Sequence, residues 1–203
     1  ASLADVFEGR ETMPESAWEA VEMARSRLFH VIDQTPGLDW LLLTKRPQNI
    51  RNMWPLLADK RVIFPGCPGP LGEPQPCYVE NAGRHNVRLR TSISDQATAN
   101  KAIPELLKCH GLAPVLFLSA EPLLGPIDLT RVGNHDGTCA NRFDGNCLYV
   151  GDIGGAEYAW SPRNFIRWVI VGGESGPNAR PCNPQWILSI AGQCKDASVP
   201  CFV

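Results

Sequence analysis

Four short apolar runs, each ending in polar or glycine-rich residues, limit what this chain can become. They are Asp39-Trp-Leu-Leu-Leu-Thr-Lys45-Arg46, Asn86-Val-Arg-Leu-Arg-Thr-Ser92, Pro114-Val-Leu-Phe-Leu-Ser-Ala-Glu121 and Arg167-Trp-Val-Ile-Val-Gly-Gly-Glu174-Ser175. Asp39–Thr44 is a continuous apolar run, as expected for a strand covered on both faces. Three of the four precede a segment with helical periodicity. Strands that feed helices run parallel, and their C-terminal ends share one rim where such folds hold ligands.

The segments between the runs support this reading. Over residues 14–34, Trp18, Val21, Ala24, Leu28 and Val31 form an apolar stripe, with Pro14 in the first turn and Gly37 beyond the end. Pro47 opens a second helix carrying Ile50, Met53, Trp54 and Leu57 on one face. Ser94 is placed to cap a third, whose Ala99, Ile103, Leu106 and Leu107 face inward. Asn183 and Pro184 cap and start a fourth, with Trp186, Ile187, Ile190 and Cys194 inside. Pro200–Val203 begins a fifth visible strand, and residues 1–8 resemble the exit of a strand lying upstream. The chain reads as a single α/β domain over 1–203, truncated at both ends. An open doubly wound sheet and an incomplete barrel both fit this pattern.

Two stretches break the rhythm. Residues 59–85 hold five prolines and four glycines without periodicity, and 130–166 are rich in Gly, Asp and Asn. Both read as irregular insertions, with no crossover helix in the second and only a short turn near residues 123–129. His135, Cys139 and Cys147, with Cys67 and Cys77, match no common zinc spacing, so no metal site is assigned. None of the eight cysteines forms a C-x-x-C pair. Cys109, Cys194 and Cys201 read as small buried hydrophobes.

A net charge of -2 gives no global field toward nucleic acid or membrane. With no long apolar span and no basic, apolar leader at Ala1-Ser-Leu-Ala-Asp, a cytoplasmic protein without membrane partners is expected.

Candidate site residues fall at the ends of the runs. Lys45 and Arg46 join cationic side chains to a helix start, a combination that favours phosphate or carboxylate on a substrate. Glu121, just past Ser119, can accept from an amino group or sugar hydroxyl, or act as a base. Gly172-Gly173-Glu174-Ser175 offers close backbone approach and a carboxylate, with Arg180 nearby as a further substrate contact. The glycine spacing is neither the dinucleotide fingerprint nor a phosphate loop. A non-enzymatic alternative is a nucleotide or nucleic-acid binding module that uses Lys45, Arg46, Arg51 and Arg88 on phosphate.

At these same motifs the chain resembles a known family. Leu41-Leu-Leu-Thr-Lys-Arg-Pro47, Thr91-Ser-Ile-Ser-Asp-Gln96, Leu118-Ser-Ala-Glu-Pro-Leu-Leu-Gly-Pro-Ile127 and Trp168-Val-Ile-Val-Gly-Gly-Glu-Ser-Gly-Pro-Asn-Ala-Arg-Pro181 look like the phage protein family Gp thirty-seven / Gp sixty-eight, which is similar to radical S-adenosylmethionine proteins. The resemblance implies a partial β/α barrel of the radical S-adenosylmethionine type, an incomplete TIM-type barrel. It implies an enzyme that cleaves S-adenosylmethionine reductively with a four-iron four-sulfur cluster, on an unknown substrate. The family's cysteine cluster lies upstream of the part matched here, so the resemblance implies cluster ligands outside this chain. Ser119, Glu121, Gly172, Gly173, Glu174 and Ser175 then become cofactor contacts, and Lys45, Arg46 and Arg180 substrate contacts.

Overall fold

The computed structural model describes residues 5–55, 63–68, 74–78, 83–109, 111–132, 149–153, 156–160 and 166–203. Five strands form one sheet: β1 (Trp40–Thr44), β4 (Val87–Ser92), β5 (Val115–Ala120), β8 (Ile166–Val171) and β9 (Cys201–Phe202). Its order is β1-β4-β5-β8-β9, and every pairing is parallel. Each sheet strand lies beside the one before it in the chain. A doubly wound sheet reverses its order partway; this one does not.

Alternation gives the sheet two distinct faces. On β4, Val87, Leu89 and Thr91 are buried while Arg88, Arg90 and Ser92 are half-buried. Leu42, Leu89, Leu116, Leu118 and Val169 join the main core with Ala99, Ile103 and Leu106 of α3 (Gln96–Leu107) and Ile190 and Cys194 of α4 (Pro184–Asp196). The opposite face carries Leu41 and Leu43, Arg88 and Arg90, Phe117 and Ser119, and Trp168 and Ile170. Strand periodicity thus divides one apolar layer under the helices from one that mixes arginines with aromatics.

The long helix α1 (Glu15–Gln34) forms where the stripe predicts it, but the stripe is turned by about one position. Arg25, Phe29 and Ile32 are buried, whereas Ala24 is exposed. Phe29 packs edge-on against Trp54 at 5.1 Å, and Phe7 stacks on Trp54 at 6.3 Å. Burying a phenylalanine of this kind contributes about 1.5–3 kcal/mol, so this cluster sets the helix's rotation. Arg25 is drawn in because its Nε donates to the Val6 carbonyl at 2.8 Å. Its stem then packs like an apolar side chain.

The helix opened by Pro47 is short. A 3-10 turn, Pro47–Asn49, leads into α2 (Ile50–Met53), which stops before Trp54-Pro55. A residue before proline is disfavoured in helical conformation, and the expected Leu57 lies outside the described residues. The cap of α3 is Asp95 rather than Ser94. The Asp95 carboxylate accepts from Thr98 N at 2.8 Å, and the Thr98 hydroxyl accepts from Asp95 N. Asn183 caps α4, accepting from Gln185 N as expected.

Both insertions hold paired strands where irregular loop is expected. β2 (Ile63–Pro68) pairs antiparallel with β3 (Pro74–Tyr78), and β6 (Tyr149–Ile153) with β7 (Ala156–Trp160). Prolines sit at the register break of the first hairpin, as strands tolerate them at bulges. In the second, only Gly154-Gly155 separates the two strands, a hairpin signal that composition obscured. Between β5 and β6 the described residues contain one 3-10 turn, Leu129–Arg131, and no crossover helix. Among the described residues no helix is long and apolar enough to cross a membrane.

Candidate functional site

The strand ends converge on one rim, tied together by backbone hydrogen bonds. Ile93 N donates to Ser119 O at 2.9 Å, Gly172 N to Ala120 O at 3.2 Å and Leu123 N to Gly172 O at 2.9 Å. Leu124 N and Gly125 N both donate to Ser94 O. The segment 121–125, which starts with a cis Glu121-Pro122 peptide, therefore bridges the ends of β4 and β8.

Glu121 is the centre of this rim. Ser119, two residues earlier on the same face, donates its hydroxyl to Glu121 Oε2 at 3.2 Å. Ser92 on the neighbouring strand donates to the Glu121 carbonyl at 3.0 Å. A methyl group on Gly172 would stand 2.8 Å from Glu121 Oε1. Glycine at 172 is what allows the carboxylate to lie against the β8 backbone. Glu121 itself is exposed, so its oxygens remain open to a ligand.

Arg90 lies one layer below. Its register partners are Leu43 on β1 and Phe117 on β5. Its guanidinium sits over the Phe117 ring, 5.5 Å from the centroid, and Nε is buried without a hydrogen-bond partner. Burial pulls its pKa below the ordinary value, while the charge of Glu121 acts in the opposite direction. Phe117 in turn packs on Trp168 at 4.5 Å. The register of β8 shifts here: between the pairs Leu116–Ile166 and Leu118–Val169, one residue of β5, Phe117, faces two of β8, Arg167 and Trp168. Such a bulge re-aims a side chain, and it leaves Trp168 beside Phe117.

The other sequence candidates take different places. Arg46 is held by Asp5 at 3.2 Å and by Glu8 at 2.6 Å. Lys45 N donates to Asp5 Oδ2 at 3.0 Å, and the Lys45 side chain is exposed. The end of β1 is thereby occupied by the segment Asp5–Glu8. Glu174 and Arg180 pair with each other: Nε donates to Oε2 at 2.7 Å and Nη2 to Oε1 at 2.9 Å. Arg180 holds the Glu174 carboxyl down at about 2, from an ordinary 4.5. Ser175 is exposed in the same loop, while Gly173 faces Cys182, whose Cβ would meet an added methyl at 3.0 Å.

The structure thus brings together Ser119, Glu121 and Gly172 and adds Ser92 and Arg90, which the strand-end reading had not placed in the site. The signal for Arg90 was in the sequence: two arginines at alternate positions of an otherwise apolar strand, both on one face. Lys45, Arg46, Glu174, Ser175 and Arg180 belong to flanking loops.

Cysteine chemistry lies elsewhere. Cys109 and Cys194 are buried on the helix side, and burial pushes each thiol up to about 12. Cys201 is half-buried and its pKa is raised by the same cause. Among the described residues no three His, Cys, Asp or Glu side chains group to hold a metal ion. The side chains of Cys67, Cys77, His135, Cys139 and Cys147 lie outside the described residues.

Over residues 1–203 the chain matches the family described as protein of unknown function (DUF5131). No curated protein and no solved structure matches it.

Proposed function

The chain belongs to the DUF5131 family, and from its strand ends we propose that it is a partial β/α barrel of the radical S-adenosylmethionine type, of phage or bacterial origin. The observation that carries the reading is the rim itself. Parallel strands in unbroken chain order bring an open carboxylate, two hydroxyls and a guanidinium to one end of the sheet. Barrels of parallel strands hold their ligands there.

The donor set fits S-adenosylmethionine. Glu121 would accept from its amino group or ribose hydroxyls, oriented by the Ser119 hydroxyl. Gly172 and Gly173 would let the β8 backbone approach it. Glu174, with both oxygens engaged by Arg180, would order the loop rather than touch the ligand. When bound and reduced, S-adenosylmethionine supplies a carbon radical. The protein's part is to orient the ligand and exclude water. The described residues do not fit a four-iron four-sulfur cluster, because no three of their cysteines come together and two of the four are buried. No step is therefore drawn through a cluster. The enzyme would act in the cytoplasm, where thiols such as Cys109 and Cys194 stay reduced.

The nucleic-acid alternative has less support. Arg46 pairs with Asp5 and Glu8, Arg88 with Asp39 at 2.7 Å, and Arg51 donates to Lys108 O. Phosphate binding would need these cations released.

The test is titration of the protein with S-adenosylmethionine by calorimetry, alongside anaerobic reconstitution of its longest natural form with iron and sulfide. Saturable binding weakened by Glu121→Gln, with 5′-deoxyadenosine formed on reduction, is the expected result. Absence of both binding and 5′-deoxyadenosine would sink the proposal. Binding that fades steeply with salt for single-stranded oligonucleotides would favour the alternative.

A further inference from the structure

Arg90 differs from four other arginines near this sheet. Arg46, Arg84, Arg88 and Arg180 each hold a carboxylate at 3.2 Å or closer. Arg90 forms no ion pair among the described residues, and its Nε is buried without any partner. A buried donor left unmade is costly, more so where the group is charged, so such a donor asks for a partner that completes it. Glu121 is close enough to bias Arg90 electrostatically, yet its carboxylate turns to Ser119 and Gly172. The guanidinium has an aromatic floor: it lies over Phe117, which packs on half-exposed Trp168.

We propose that Arg90, Phe117 and Trp168 form a substrate subsite for the oxyanion of a planar apolar ligand, a carboxylate or phosphate carried on an aromatic ring. The oxyanion pairs with the free guanidinium edge, which suits planar two-point recognition of such groups. The ring lies against Trp168, where stacking adds to simple burial. A hydrogen-bond donor beside the oxyanion faces Glu121, which offsets the repulsion between the two negative groups. This deepens the reading of the strand ends as a site by naming a substrate class. Its test needs neither S-adenosylmethionine nor a cluster.

The experiment follows the Arg90 Nε–Hε signal in nitrogen-15 spectra of the whole protein, assigned by its disappearance in Arg90→Lys. Probes are benzoate, phenyl phosphate, inorganic phosphate and neutral benzamide. Benzoate or phenyl phosphate is expected to shift that signal and to bind at least tenfold more tightly than benzamide. The tighter of the two identifies the oxyanion. Trp168→Leu is expected to weaken the aromatic probe severalfold while leaving inorganic phosphate unchanged. The proposal is overturned if no anion moves the signal, if benzamide binds as well as benzoate, or if Trp168→Leu changes nothing. Because the signal is read in the unaltered protein, a variant that fails to fold does not blunt the test. Loss of this subsite would leave S-adenosylmethionine binding at Glu121 intact. Failure to bind S-adenosylmethionine would leave the anion shifts in place.

Discussion

The ends of β1 and β5 occupy equivalent places on the same rim and do opposite work. At the end of β1, Arg46 is gripped by Asp5 and Glu8, Asn49 donates to Phe7 O, and Lys45 N is bonded by Asp5. Every strong polar group there except the Lys45 ammonium holds chain to chain. At the end of β5, Glu121 is exposed, and the guanidinium beneath it has a donor with no partner. A charge at a strand end is therefore a ligand candidate only after its protein partners are counted. Arg46 and Glu121 carry similar positional signals, and only the second keeps its charge open.

The sharpest way to break this contrast is Glu121→Gln. It removes a charged acceptor while leaving shape, so S-adenosylmethionine affinity should fall about ten- to hundredfold, from about 1.5–3 kcal/mol per charged hydrogen bond. The melting temperature should hold. Equal affinity by calorimetry would mean that the β5 end is as structural as the β1 end. Gly172→Ala comes next. Its new methyl meets the far end of a flexible, exposed side chain, so stability should change by less than about 1 kcal/mol. The displaced carboxylate should nevertheless weaken the ligand about tenfold, seen as a binding loss without a melting shift. Arg46→Met inverts the pattern: about 1 kcal/mol of stability lost in denaturant melts, from two half-exposed ion pairs, with ligand affinity unchanged.

The smallest effect is acid-dependent. The Glu174 carboxyl titrates near 2 in the folded protein against an ordinary 4.5. Its contribution to stability is complete above the ordinary value and is lost as pH falls from there through about 2. Carboxyl carbon-13 titration should show Glu174 returning toward its ordinary range in Arg180→Ala, with the difference in acid stability between the two proteins confined to that window. A Glu174 that titrates normally beside intact Arg180 would mean that the loop pair does not form in solution.

Much of this molecule could be read from residues alone, and the failures share a cause. The strands of the main sheet were legible because β1, β5 and β8 are nearly continuous apolar runs and β4 alternates with a period of two. Counting apolar residues misplaced the stripe of α1, because the buried position includes Arg25, a charged residue whose head is bonded to carbonyls. Arg90 shows its place only through its register neighbours Leu43 and Phe117, which lie far from it in the chain. At α3, Ser94 and Asp95 are both competent caps, and only backbone geometry decides for Asp95. The hairpins were hidden by proline and glycine content, although Gly154-Gly155 is itself a turn signal. At the rim, position was legible but partnership was not, since Arg46 and Asp5 are far apart in the chain.

The unbroken order β1-β4-β5-β8-β9 also bears on how the molecule is made. No later strand has to enter between two earlier ones, so each new unit docks on the edge left by its predecessor. A chain emerging from the ribosome can lay the sheet down in the order of synthesis. Each insertion falls between strands that are already neighbours, so its length adds only about 0.6 kcal/mol of closure entropy per doubling. Growth at these two points is then nearly free for the sheet, and evolution can vary the insertions without reopening the sheet itself.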